Sequence, residues 1–145
     1  MQFSTRLPIA VHILMCLAVF EGQYKMTSAF LAGSIGVNPV VVRNILGQLK
    51  AAGLVQVEAG VGGAALVRPA DEITLLDVFD AVEDGENLFR LHENPNPRCP
   101  VGGRIKEVLN KRLESVQEVM RRELRSVTLR DLLNDWQSGS TAQPH

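Results

Sequence analysis

Residues Thr27 to Lys50 read TSAFLAGSIGVNPVVVRNILGQLK, and the fold turns on this stretch. Thr27 or Ser28 opens a helix over residues 29–34, and Gly36 supplies a sharp turn after it. Asn38 then caps a third helix, and Pro39 suits its first position because the proline φ is already helical. The spacing of Ala32, Gly36, Val37, Val42 and Ile45 is that of a helix-turn-helix. A small residue lets the helices touch, a flexible backbone turns between them, and Val42, Ile45, Leu46 and Leu49 form an apolar inner face.

Burying that inner face turns Val40, Val41, Arg43, Asn44 and Gln48 outward or to the flanks. Such a helix suits the DNA major groove, where arginine pairs bidentately with guanine and asparagine or glutamine with adenine. Thr27, Ser28 and Asn38 stand at helix starts, where free N–H groups favour phosphate, and Lys50 and Lys25 extend the same surface. The competing reading is an ordinary helical hairpin with a solvated polar face.

The residues after Gly53 strengthen the DNA-binding reading. Two β-rich runs, residues 54–57 and 64–68, flank a tip containing Gly60, Gly62 and Gly63, the composition of a hairpin. A hairpin directly after a helix-turn-helix reads as a wing. Gly62 and Gly63 allow the backbone close to phosphate, whereas the tip carries Glu58 and no basic residue. A purely structural ribbon closing the core remains the alternative for the wing.

Upstream, a first helix starts at Ser4 or Thr5, tolerates Pro8 in its first turn, runs to about Phe20 and ends at Gly22. Its apolar run resembles a signal-peptide core, but Pro8 and His12 interrupt it and no small-residue cleavage pattern follows. A buried helix of a cytoplasmic protein, with no membrane partner, is the expectation. Downstream, Thr74 and Asp77 form a capping-box pattern for a helix through Glu83, with Ile73 and Val78 as its staple. Residues 85–103 form a loop with Pro95, Pro97, Cys99 and Pro100.

A long helix over residues 104–125 then carries Ile105, Val108, Leu109, Leu113, Val116, Met120 and Leu124 on one stripe. Such a stripe on an arm beyond a small domain calls for a partner surface, so these residues are the expected dimerisation contacts. Folding back onto its own domain is the other possibility. Thr128 and Asp131 open a last short helix with Leu129, Leu132, Leu133 and Trp136, and residues 137–145 read as a frayed tail. The expected organisation is a DNA-binding domain over residues 1–70, a connecting helix, cysteine loop and dimerisation helix over 71–136, and a flexible tail over 137–145. The fold class is mainly α with a small β-hairpin: a winged helix-turn-helix plus a long C-terminal dimerisation helix.

Composition sets outer limits. Of 145 residues, 46% are hydrophobic and 21% charged, enough apolar side chain for a packed core. Aromatics are only 5%, which disfavours a stacking platform for single strands. The net charge of −1 conceals a front portion, residues 1–68, with five basic and two acidic residues. The acidic excess lies in the remainder, so a cationic module meets an acidic one. Cys16 and Cys99 are the two cysteines, too few for a disulfide framework or structural zinc site. No nucleophile–base pair or lysine-bearing phosphate loop marks an enzyme.

Several segments together resemble the Rrf family of bacterial winged-helix regulators. These are Phe3-Ser4-Thr5-Arg6 with Ala10, Gly53-Leu54-Val55, Gly60-Val61-Gly62-Gly63-Ala64-Ala65-Leu66, and Ile73-Thr74-Leu75-Leu76-Asp77-Val78. The likeness spans residues 2–136. It implies a homodimeric repressor whose long helices cross and whose two recognition helices meet a palindromic double-stranded DNA operator. Many relatives hold an iron–sulfur cluster through three closely spaced loop cysteines. Here Cys99 stands alone in the loop, so no cofactor is expected, and Ala59 replaces the arginine common in the family's wing.

The segment Asn94 to Gly102 resembles a cluster-free branch in which one loop cysteine senses oxidants. Arg98, Arg104 and the start of the long helix would favour the Cys99 thiolate, whereas an inert, packed cysteine is the plain alternative. Cys16, inside the apolar first helix, reads as core. A rival function is a winged-helix interaction module that docks on an enzyme or polymerase without binding DNA, suggested by the uncharged Val40-Val41 surface and the acidic rear half.

Overall fold

The computed structural model describes residues 4–58, 63–83, 89 and 91–141. Among the described residues, six helices and one hairpin follow in the order α1 (Arg6–Val19), α2 (Ser28–Ile35), α3 (Pro39–Ala51), β1 (Val55–Glu58), β2 (Gly63–Leu66), α4 (Leu75–Val82), α5 (Ile105–Ser126) and α6 (Leu129–Thr141). A short 3-10 turn, Ala70–Glu72, precedes α4.

Local chemistry explains most boundaries. The Thr27 hydroxyl accepts from the Phe30 N–H at 3.1 Å, and Asn38 Oδ1 accepts from the Val40 N–H at 2.8 Å. Thr74 and Asp77 close a reciprocal capping box, and Thr128 and Asp131 repeat the pattern at the start of α6. Gly36 takes φ +85°, so that its own N–H and that of Val37 both reach the Ala32 carbonyl and end α2. At α1, Thr5 occupies the cap position without a side-chain bond, while the Ser4 hydroxyl accepts from the Arg6 N–H.

The bend between α2 and α3 is 110°, within the range of a helix-turn-helix. Its inner face is buried as the spacing predicts: Leu31 and Ala32 from α2 meet Val42, Ile45, Leu46 and Leu49 from α3. Ala10, Ile13, Leu14 and Leu17 of α1 complete that layer, and Leu54, Val55 and Ala64 anchor the hairpin to it. The two strands are antiparallel, with Val55 opposite Leu66 and Glu58 opposite Gly63.

The C-terminal segment returns to the same core. Leu129 and Leu133 are buried with Ile73 and Val78, and the Leu129 N–H donates to the Ile73 carbonyl at 2.8 Å. Helix α6 continues through Thr141, five residues into the stretch expected to fray. The buried Leu129 and Leu133 anchor its first turns, and the helix continues past weak helix formers. By contrast, α5 has no buried residue over 22 positions. Among the described residues, no single helix is long and apolar enough to cross a membrane.

Candidate nucleic-acid interface

Helix α3 presents one outward stripe: Val40, Arg43, Asn44, Gly47 and Ala51 are all exposed at helical spacing. Arg43 and Lys50 carry no ion pair among the described residues, so their charges face solvent. Asn38 is exposed at the N-terminus of α3, and its side chain satisfies the helix start. Thr27 caps α2 in the same way, with Ser28 half-buried beside it. Val40 is 50% exposed, an apolar methyl surface next to Arg43.

Two predicted readers sit differently. Val41 is half-buried against the core. Gln48 is also half-buried, and its Oε1 accepts from the Arg6 guanidinium, whose Nε also donates to the Val82 carbonyl at 3.1 Å. Gln48 is thus held by the chain itself, at the flank of the stripe. Arg6 therefore ties the recognition-type helix to α1 and to the end of α4. Sequence reading placed no role on Arg6, because the pair lies 42 residues apart.

At the wing, the tip residue Gly62 lies outside the described residues. Gly63 takes φ +74°, and a Cβ there would stand 2.7 Å from the Met26 carbonyl oxygen. The Ala64 N–H donates to that same carbonyl at 2.9 Å. The close backbone approach expected at Gly63 is thus made to Met26, which seats the hairpin on the connection between α1 and α2. Arg68, beyond the wing, pairs with Asp77 at 3.4 Å and so serves the α4 cap.

The cysteine loop folds tightly on itself. The Cys99 N–H donates to the Asn96 carbonyl, and the Gly103 N–H to the Cys99 carbonyl. Cys99 is exposed, and its thiol pKa is lowered by hydrogen bonds from the backbone of Gly102 and then Val101. Of the expected causes, the backbone at the start of the long helix is the one in place, and the arginines are not among the causes. Arg104 is engaged with Glu107 at 3.4 Å, and backbone N–H groups, not arginine charge, favour the thiolate.

Along α5, Ile105, Leu109, Leu113, Met120 and Leu124 are half-buried, whereas Val108 and Val116 are about half exposed. Val119, absent from the stripe expected on sequence grounds, is 58% exposed and widens the same face. Arg121 pins the helix to α4 through a two-pronged ion pair with Asp80, at 2.9 and 3.2 Å. Asp80 raises the Arg121 pKa, first by hydrogen bonding and then by its charge.

Comparison with known proteins agrees with this geometry. The Rrf2 family, described as an iron-dependent transcriptional regulator, matches residues 3–135. YwnA of Bacillus subtilis (strain 168), an HTH-type transcriptional regulator by name only, is 44% identical over 133 residues, covering 92% of this chain and 98% of that protein. A crystal structure of a protein described only as DNA-binding superposes with a TM-score of 0.71 at 38% identity, covering 88% of this chain and 98% of that one. CymR, the global cysteine regulator of B. subtilis, shares the fold at a TM-score of 0.65 and 22% identity, covering 92% of this chain and 97% of that one.

The family description implies iron, but the residues do not fit a cluster held by three thiolates of one chain. Cys16 and Cys99 are the two cysteines, on α1 and in the loop before α5. Among the described residues no group of three His, Cys, Asp or Glu side chains converges on a metal-sized site. The winged helix-turn-helix, its outward-facing α3 and these likenesses lead to one assignment: the chain belongs to the Rrf2 family of transcriptional regulators.

Proposed function

We propose that the protein is a homodimeric repressor that reads a palindromic operator through the outer stripe of α3. The observation that carries this reading is the exposed row Val40, Arg43, Asn44 and Gly47 on a helix whose opposite face is wholly core. Arg43 and Asn44 supply bidentate donors and acceptors for base edges, and Val40 supplies an apolar contact for a thymine methyl. Thr27, Ser28, Asn38 and Lys50 are the proposed phosphate contacts, and Gly62 and Gly63 the proposed wing contacts. Gln48 supports the helix from its flank and Val41 from the core side.

The half-exposed valines of α5 meet a second copy, which sets two recognition helices on two-fold related half-sites. Retention of a duplex from a randomised pool, with binding that falls steeply as salt rises, tests the reading. Failure to retain any duplex at low salt contradicts it.

Cys99 is the proposed redox switch of this cytoplasmic regulator. Its thiolate attacks one oxygen of hydrogen peroxide, the O–O bond breaks, hydroxide leaves, and a sulfenic acid forms. Peroxide is expected to weaken operator binding by wild type and to spare Cys99→Ser; equal loss in both removes Cys99 as the switch.

A further inference from the structure

We propose that the last turn of α4 is the joint that passes the position of α5 to the base-reading helix α3, with Arg121 and Arg6 as its two positioning residues. Helix α4 has eight residues and packs on α1, α3 and α5, so it stands between the winged core and the long arm. Its last turn is gripped from both sides. On the α5 side, Arg121 Nη1 and Nη2 donate to Asp80 Oδ1 and Oδ2 at 2.9 and 3.2 Å. On the winged side, Arg6 Nε donates to the Val82 carbonyl at 3.1 Å, and Arg6 Nη2 donates to Gln48 Oε1 on α3. A polar run thus leads from Arg121 through Asp80 and Val82 to Arg6 and Gln48, crossing one turn of α4 on the way.

Apolar packing alone would leave this joint loose. Val78, Phe79 and Val82 are buried and hold α4 against the core. Such burial is non-directional, and packed helices slide on one another by small steps. Hydrogen bonds are directional and weaken steeply off axis, so two arginines fix what packing leaves free. Arginine suits both ends because its planar fork holds two acceptors in one geometry. Val82 also closes α4, where the last carbonyls have no intrahelical N–H, and Arg6 fills that vacancy.

The consequence falls on the outer stripe of α3. Gln48 sits on the flank of a rigid helix that exposes Arg43 and Asn44, so a shift at Gln48 changes the angle at which both meet base edges. In the proposed dimer, that angle sets the relation between the two α3 helices and hence the half-site spacing. This consequence rests on the operator-binding reading; the joint itself does not.

The first test needs no DNA. Nitroxide labels at Ala51→Cys and Lys111→Cys, exposed sites on α3 and α5, are placed in the Cys99→Ser chain, where Cys16 is buried. Dilution with unlabelled protein restricts pulsed electron resonance to pairs within one chain. A narrow distance distribution is expected, broadened or displaced by Arg6→Met and by Arg121→Met while the urea midpoint stays nearly fixed. An unchanged distribution in either variant overturns the joint, and so does a change that comes only with loss of the midpoint.

Affinity for a duplex selected from a randomised pool gives the second test. Arg6→Met is expected to lose about tenfold with the salt slope unchanged. Arg6→Lys keeps the charge without the fork and should lose about as much. Arg6→Met combined with Arg121→Met should lose no more than the weaker single variant, because one break already frees the joint. Losses that multiply overturn the joint. Full binding by Arg6→Lys, with a salt slope reduced by about one in Arg6→Met, makes Arg6 a phosphate contact and overturns its positioning role. Absence of retention by wild type is the failure of the operator reading, and the label distances then decide the joint alone.

Discussion

Helices α3 and α5 both carry an exposed face, but they differ in what lies behind it. Behind the α3 stripe, Val42, Ile45, Leu46 and Leu49 are buried in the chain's own core. What α3 leaves outside holds polar groups, Arg43, Asn44 and Lys50, set among Val40 and the small Gly47 and Ala51. Helix α5 buries nothing, and its half-exposed residues include Val108, Val116 and Val119. A helix finished on its apolar side and open on its polar side is complete and offers hydrogen bonds. A helix open on its apolar side is unfinished. One chain thus holds two faces of opposite chemistry, one suited to nucleic acid and the other to a copy of itself.

Substitutions put this contrast at risk, most severely at α5. Leu113→Glu with Val116→Glu places charge in the α5 face without touching the winged core. It should halve the mass seen by light scattering, to one chain of 15.9 kDa. Operator affinity should fall by about 1,000-fold, because binding by linked half-sites is lost. An unchanged mass would give α5 no part in assembly.

Ile45→Ala attacks the inner side of α3. Ile45 is fully buried, and its truncation should cost about 3 kcal/mol in urea unfolding. Arg43→Ala, on the outer side of the same helix, should leave the unfolding midpoint nearly fixed while costing about 1–3 kcal/mol of operator binding and relaxing sequence preference. The pair of results separates the two faces; matching stability losses would erase the distinction.

A weaker response is expected at the α4–α5 junction. Arg121 and Asp80 are each partly exposed, so Arg121→Ala should cost less than about 1 kcal/mol of stability. At the loop, reactivity gives a pH test. Backbone hydrogen bonds favour the Cys99 thiolate, so its alkylation rate in Cys16→Ser should reach its plateau at lower pH than that of a free cysteine. The same or a higher midpoint would remove those bonds as the cause.

Much of the winged domain is legible in the sequence because its signals are local. Asn38-Pro39, Gly36 and the Thr74–Asp77 box each act over three or four residues, and the apolar spacing of α3 repeats within its own 13 positions. The recognition face is legible in part. Arg43 and Asn44 follow from helical period alone, whereas the state of Gln48 depends on Arg6, 42 residues away. Gly63 carries a turn signal, but only the fold reveals that Met26 occupies the space a side chain would need. Residues 137–141 read as tail because Gly and Ser dominate, and the contact that anchors the helix comes from Leu129 and Leu133 in the core, where α6 meets α1 and the 3-10 turn.

Stoichiometry on DNA bears on both faces at once. It is read as the mass of the complex formed with a duplex selected from a randomised pool, by size exclusion with light scattering. Wild type is expected to bind as two chains per duplex, and the Leu113→Glu, Val116→Glu variant to form no complex at the same concentration. One chain per duplex, or a variant that binds as tightly as wild type, would contradict a dimer that reads DNA through α3 and assembles through α5.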